Sequence, residues 1–244
     1  MPQTASRIAL VTGANKGIGF EIARQLGTDG TRILVGARDA DRGQAAVASL
    51  RNDGIDARYV QIDLIEAATI QAAAADVEAQ EGLLDILINN AGISDQADGA
   101  PSVANLEAVE RVLRTNFLGA LTVTQGLLPL LRKSSAGRIV NVSSGLGSLD
   151  YNVDPNSEFA NVKYLGYSAS KAALNMLTVQ LAFELRETGI KVNSADPGFT
   201  ATDLNQHRGH QTVEQGAAEA VRLALLPEDG PTGGFFSSTG RLPW

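Results

Sequence analysis

Short apolar runs alternate along this chain with longer Ala-rich stretches, and that alternation restricts the fold more than any other feature. The runs are Ile8–Val11, Ile33–Val35, Tyr59–Ile62, Leu83–Ile88, Ile139–Val142, Ile190–Val192 and Phe235–Phe236. Each is too short for a helix, and several are rich in β-branched residues. Between them lie Gln44–Arg51, Ala67–Gln80, Val103–Arg132 and Ser168–Glu187, all with helical character. Strands that are apolar on both faces need both faces covered, which is the habit of a parallel sheet built from βαβ units. Right-handed crossovers then predict an α/β fold: one doubly wound Rossmann domain over residues 1–244, with about seven parallel strands and helices on both faces.

Composition removes several function classes. The chain carries 20 basic and 27 acidic side chains, a net charge of −7, which does not suit a phosphate backbone and argues against nucleic-acid binding. It has no cysteine, so disulfides, iron–sulfur clusters, Cys-ligated zinc and a Cys nucleophile are excluded. The two histidines, His207 and His210, have no third ligand at metal spacing, and no metal is expected. The start lacks a secretory pattern, and the longest apolar region, Phe117–Leu131, is broken by Gly, Thr, Gln and Pro. A cytoplasmic protein without membrane contact is the expectation. No G-x-S-x-G elbow is present, which disfavours a Ser–His–Asp hydrolase.

The first strand runs into Gly13-Ala-Asn-Lys-Gly17-Ile-Gly19 and then into a helix over Phe20–Leu26. Glycines here allow a tight turn and a close backbone approach to a pyrophosphate resting on the helix N-terminus. Gly13, Asn15, Lys16, Gly17, Ile18 and Gly19 are the candidate phosphate cradle. No Lys-Ser or Lys-Thr follows a glycine, so this is not a P-loop. The second strand ends at Val35-Gly-Ala-Arg38, where a Rossmann unit meets the adenosine ribose. Arg38 offers a planar fork for a 2′-phosphate and Lys16 a second cation, which favours NADP(H) over NAD. A strand end shifted by two residues would put Asp39 there and reverse that preference.

Tyr167-Ser-Ala-Ser-Lys171 puts a phenol and an ammonium four apart, on one helix face. A free tyrosine, with a pKa of ~10, exchanges protons poorly near neutrality, and an adjacent ammonium lowers it. Tyr167 is thus a candidate general acid toward a carbonyl oxygen. The fifth strand ends in Ser143-Ser144, and either hydroxyl can bond a substrate carbonyl. Asn89-Asn90-Ala91-Gly92 closes the fourth strand, Asn116 lies in a helical stretch, and Pro197-Gly198 with Thr200 and Thr202 follows the sixth.

Taken in order, TGANKGIG from Thr12, NNAG from Asn89, Asn116, the strand-end serines, YSASK from Tyr167 and PGFTAT from Pro197 resemble the short-chain dehydrogenases/reductases. The resemblance spans nearly the whole chain, and ARDADRG after the second strand is similar to the carbonyl-reductase-like, NADP-using branch. It implies NADPH-dependent, reversible reduction of a ketone or aldehyde. Tyr167 would donate the proton and Lys171 would hold the nicotinamide ribose. Ser144 would orient the carbonyl, and Asn116 would hold a relay water. Asn90, Ala91 and Gly92 would line the adenine-ribose side, with Asp63 and Leu64 near the adenine. Pro197, Gly198, Thr200 and Thr202 would surround the nicotinamide. The alternatives are a 3-oxoacyl-thioester reductase and a non-catalytic NADPH-sensing protein. The latter would be expected to lack Tyr167, Lys171 or Ser144.

Ser144 and Tyr167 stand 23 positions apart, longer than in compact relatives. The stretch at about 145–166 reads as an insertion near the site, not regular throughout, with Tyr151, Phe159 and Tyr164 among its apolar anchors. It covers either the cleft rim, with Tyr151 or Phe159 against substrate, or the outer helix faces where relatives dimerise. The rim is favoured, which leaves a homo-oligomer expected and a monomer open. Residues at about 199–215 read as a segment that closes over a small carbonyl substrate.

Overall fold

The computed structural model describes residues 6–244. Among the described residues, eight strands form one sheet: β1 (Ile8–Thr12), β2 (Arg32–Ala37), β3 (Ala57–Gln61), β4 (Ile86–Asn89), β5 (Arg138–Val142), β6 (Lys191–Ala195), β7 (Phe235–Ser237) and β8 (Gly240–Arg241). Their order is β3-β2-β1-β4-β5-β6-β7-β8, parallel up to β7. All seven expected runs lie in or against these strands. The eighth strand, β8, is a two-residue antiparallel return beside β7 that carries no apolar run to announce it. The order reverses between β1 and β4, and a crevice opens there at the C-terminal strand ends.

The helices are α1 (Gly17–Thr28), α2 (Ala40–Asn52), α3 (Ala67–Glu81), α4 (Leu106–Leu113), α5 (Ala120–Leu131), α6 (Leu149–Val153), α7 (Leu165–Glu184) and α8 (Val213–Ala224). Strand pleating splits the core in two. Ala9, Val11, Ile33, Val35, Ile86 and Ile88 pack toward α1, α2 and α8. Leu10, Leu34, Leu87, Ile139 and Val192 pack toward α3, α5 and α7. Each such side chain contributes about 1.5–3 kcal/mol when buried, which is why the strands read as unbroken apolar runs.

The expected helix over Val103–Arg132 runs from Leu106 to Leu131 but widens midway. A π segment, Arg114–Gly119, joins α4 to α5, and its wider turn places Asn116 inward. The stretch after β5 is more ordered than its Asn, Asp and Ser content suggests. A 3₁₀ turn, Gly145–Gly147, leads into α6, which Ser148 caps by accepting from the Tyr151 amide.

A buried polar ladder crosses the second core. Asn89 Nδ2 donates to Thr124 Oγ1 at 2.9 Å and to Asn141 Oδ1 at 2.8 Å. Asn141 Nδ2 donates to Thr178 Oγ1 at 2.7 Å, and Thr178 Oγ1 lies 2.8 Å from Ser194 Oγ. The ladder ties β4, β5 and β6 to α5 and α7 directly beneath the crevice. Removing one member strands its partners without water, at about 1–3 kcal/mol for each. Asn141→Ala is therefore expected to lower the unfolding free energy by about 2 kcal/mol or more, read from urea unfolding. A loss below about 0.5 kcal/mol, the size of an ordinary surface substitution, would show that the ladder bears little of the sheet's stability.

Candidate active site

The crevice begins where β1 meets the glycine loop. Gly13 and Gly17 have φ of 67° and 58°, a region glycine adopts without strain. A Cβ on Gly19 would collide with the Asn90 side chain and the Gly13 carbonyl. Only 3.8 Å from a Cβ at Gly17 lies the Thr202 methyl, and nothing else is close. Lys16 precedes α1 with extended backbone and no side-chain cap, and the first turn holds no acid. The leading α1 amides thus face the crevice with their positive dipole end, which fits the pyrophosphate of a dinucleotide.

Two neighbours complete that end. β2 stops at Ala37, so Arg38 is the first residue beyond the tip, and it is exposed. Asp39 instead caps α2, with Oδ1 accepting from the Arg42 amide at 2.9 Å. The register that favours a 2′-phosphate is the one observed. Arg42, overlooked in the sequence, lines an open cleft with Asn15, Lys16 and Phe20. Its signal was an arginine four residues after Arg38, in the first turn of α2. Lys16 does not stand free for a phosphate: its Nζ lies 2.6 Å from Asp203 Oδ2.

On the other side of the switch point, Asn90 Nδ2 donates to the Thr12 carbonyl at 2.9 Å. Asp63 and Leu64 follow β3 half-buried, and a Cβ on Gly119 would lie 2.7 Å from Leu64 Cβ. Gly92 brings backbone close to the centre: a Cβ there would stand 3.2 Å from Asn116 Oδ1 and 3.7 Å from Lys171 Nζ. Asn116 is fully buried. Its Nδ2 donates to the Ile93 carbonyl at 2.9 Å and to Ser170 Oγ at 3.0 Å, while Oδ1 accepts from the Ile93 amide at 2.8 Å.

Tyr167 and Lys171 share one face of α7, with Nζ 5.6 Å from the ring centroid. Ser143 is buried and its Oγ faces the Lys171 carbonyl at 3.4 Å, whereas Ser144 is half-buried, accepts from the Leu146 amide at 3.2 Å and turns its hydroxyl toward that of Tyr167. The strand-end pair is thereby divided, and Ser144 is the member at the site. α7 owes its position to Asp98, a residue the sequence did not mark because it sits in an ordinary acidic loop. Asp98 Oδ1 accepts from the Gly166 amide and Oδ2 from the Tyr167 amide, each at 2.9 Å. Phe159 stacks on Tyr151 at 5.6 Å and lies over Gly145, where any Cβ would strike its ring.

The residues after β6 divide as well. Pro197 and Gly198 follow β6 at or near the surface, and Thr202 faces the glycine loop at Gly17. Thr200 is buried, with Oγ1 donating to the Pro197 carbonyl at 2.8 Å and packed against Gly216. Its hydroxyl is engaged inside the loop. His207 Nε2 lies 2.9 Å from Asp203 Oδ1, and His210 meets Phe199 edge-on at 5.9 Å.

Comparison with known proteins gives one consistent result. The family model described as short chain dehydrogenase matches residues 7–213. A short-chain dehydrogenase/reductase 1 of Saponaria officinalis is 36% identical, covering 98% of this chain and 96% of that protein. Carbonyl reductase [NADPH] 1 of Sus scrofa is 35% identical, covering 98% and 94%. The crystal structure of NADPH-bound carbonyl reductase from chicken fatty liver superposes with a TM-score of 0.85 at 30% identity, covering 99% of this chain and 100% of that one.

Electrostatics at the centre differ from the expectation in one respect. The Tyr167 phenol is pushed up to about 12, by burial first and then by the Asp196 charge, with the Ser144 hydrogen bond opposing. Lys171 does not lower it here, because its ammonium is turned to the Val142 carbonyl at 2.8 Å. Burial holds that ammonium down to about 8 from an ordinary 10.5, with Asp196 opposing. Below pH 8 the folded chain carries the full desolvation penalty. Between about 8 and 10.5 the unfolded chain binds more protons, so stability rises with pH. Lys171→Met is expected to raise the unfolding free energy at pH 7 by on the order of 1–3 kcal/mol and to flatten that rise. Urea unfolding at pH 7 and pH 9.5 checks it; a variant less stable at pH 7 would mean that the Val142 bond outweighs desolvation.

Proposed function

Since the chain belongs to the short-chain dehydrogenase family, we propose that it reduces a ketone or aldehyde to the alcohol with NADPH, reversibly. The observation that carries this reading is the meeting of Ser144, Tyr167 and Lys171 beside an uncapped α1 N-terminus at the strand switch point. The likeness to an NADPH-bound carbonyl reductase supports both the cofactor and the substrate class. Gly13, Asn15, Gly17, Ile18 and Gly19 cradle the pyrophosphate, and Arg38 and Arg42 with Lys16 take the 2′-phosphate. Asp63, Leu64 and Asn90–Gly92 line the adenosine side, and Pro197, Gly198 and Thr202 the nicotinamide side. NADPH, when bound, supplies hydride.

The chain's own residues handle the proton. Burial favours the neutral phenol of Tyr167, whose hydroxyl carries the proton given to the carbonyl oxygen. The Ser144 hydroxyl donates to the same oxygen and fixes it. The Lys171 ammonium holds ribose hydroxyls, with its Nζ 5.6 Å from the centroid of the Tyr167 ring. The Asn116 side chain has protein partners on both its atoms, so a relay water would rest on its main-chain carbonyl, displaced by the π segment. Phe159 forms the apolar wall on the substrate side, and residues 199–215 close the mouth.

No helix among the described residues is long and apolar enough to cross a membrane. Met176 and Phe183 of α7 remain exposed beyond the insertion's reach, so this face supports a homo-oligomer. Sedimentation at several concentrations is expected to show a dimer or larger species; a monomer of 25.5 kDa throughout would exclude it.

A panel of ketones and aldehydes, followed by nicotinamide absorbance with NADPH and NADH, tests the activity. Tyr167→Phe keeps the ring and removes the proton. Its turnover is expected to fall by at least the ~10²–10⁴ of general acid catalysis while NADPH still binds. A variant that kept a tenth of wild-type turnover would remove Tyr167 from the role.

A further inference from the structure

Lys16 is a cation with two claims on it. In the glycine loop it stands where a 2′-phosphate would be met, yet it pairs at 2.6 Å with Asp203, 187 positions later in the chain. Asp203 opens the 3₁₀ turn Asp203–Asn205, and its other oxygen engages His207 Nε2 at 2.9 Å. Lys16, and to a lesser degree His207, hold its carboxyl below the usual carboxylate range, so it is charged at any working pH. The turn is built around these contacts. Gln206 and His207 are consecutive non-glycine residues at φ 56° and 59°, a costly left-handed pair. Thr202 and Asn205 fix its start through a reciprocal cap, and the Leu204 carbonyl accepts from Ser94 Oγ at 3.2 Å.

We propose that Asp203 is a cofactor-discriminating residue: it occupies Lys16 until a 2′-phosphate displaces it, so only the phosphorylated dinucleotide exchanges one ion pair for another. The inference rests on the NADPH reading above. The charged groups lining this open cleft are Lys16 from the glycine loop, Arg42 from α2 and Asp203 from the turn, with Asp39 3.8 Å from Arg42. An entering phosphate gains Lys16 and Arg42 beside Arg38 and meets two carboxylates, Asp203 paired with Lys16 at 2.6 Å and Asp39 at 3.8 Å from Arg42. A cofactor with a bare 2′-hydroxyl has nothing to draw Lys16 away and leaves the pair intact. Asp203 therefore reduces the advantage that the cations give to NADP, and removing it increases that advantage. Both partners are more than half exposed, and a pair of this kind shifts an equilibrium by about 1.5- to 5-fold.

Calorimetric binding of NADP+ and NAD+ at low ionic strength, where exposed charges are least screened, tests this without turnover. Asp203→Asn is expected to tighten NADP+ by about 2- to 5-fold and leave NAD+ unchanged. Asp203→Glu keeps the charge and is expected to retain the wild-type ratio. In a Lys16→Met background the gain from Asp203→Asn should vanish. Equal tightening of both cofactors, no change in either, or a gain that persists without Lys16 overturns the assignment. A wild-type chain that prefers NADP+ while Asp203→Asn leaves the ratio untouched sinks Asp203 alone. A wild type without preference sinks the NADPH reading and this inference with it.

Discussion

Thr12 Oγ1, at the end of β1, donates to the Ile88 carbonyl at 3.2 Å and accepts from the Asn90 and Ala91 amides at 3.0 and 3.1 Å. A hydroxyl has one proton and two lone pairs, so its capacity is filled inside the sheet. These three bonds fix the glycine loop against the β4 exit where the strand order reverses. The spacing of the crevice depends on them. If that knot loosened, the α1 amides and the Gly92 backbone would no longer face a common volume, and the centre around Lys171 would lose one wall. The polar ladder through Asn141 serves the same end one layer deeper, since it seats α7 on the strands whose tips carry Ser144.

The centre is held at some cost to the fold. Lys171 is 5% exposed and keeps a charge that burial opposes. Gly166 lies so close to α4 that a Cβ would stand 2.9 Å from the Val109 backbone. Asp98 then reaches from a separate loop to the two amides that begin the Tyr167 turn. A helix whose own preceding residue, Tyr164, supplies no cap is thereby capped by a distant carboxylate. Rigidity at Tyr167 follows from that substitution of a remote cap for a local one.

Strands and glycine loop were legible in the sequence because their signals are local: two-faced apolar runs, and glycines between a strand and a helix. Tyr167 and Lys171 were legible through their spacing. What could not be read depends on contacts across the fold or on backbone detail. Nothing in Arg114–Gly119 announces a π turn, because its residues suit an ordinary helix equally well. Thr200 looks like any hydroxyl in a cofactor loop until Gly216 is seen packed against it. The direction of the Tyr167 shift turned on burial and the Asp196 charge, while the ammonium that the spacing had placed nearby is turned to the Val142 carbonyl. Asp98 and Asp203 carry no local mark at all, since each finds its partner through the tertiary fold.

The short return strand β8 has a bearing on how this sheet behaves in a crowded solution. A parallel sheet ends in rows of unpaired amides and carbonyls, which invite strands from other molecules. On one side β8 runs antiparallel for two residues and stops, too brief a template for a foreign strand to extend. On the other, β3 carries Arg58, whose guanidinium is bound to Asp76 at 2.6 Å and Glu81 at 2.8 Å. A strand docking there would have to accommodate that charged cluster. Both margins are thus guarded against self-templated fibre growth, one by brevity and one by charge.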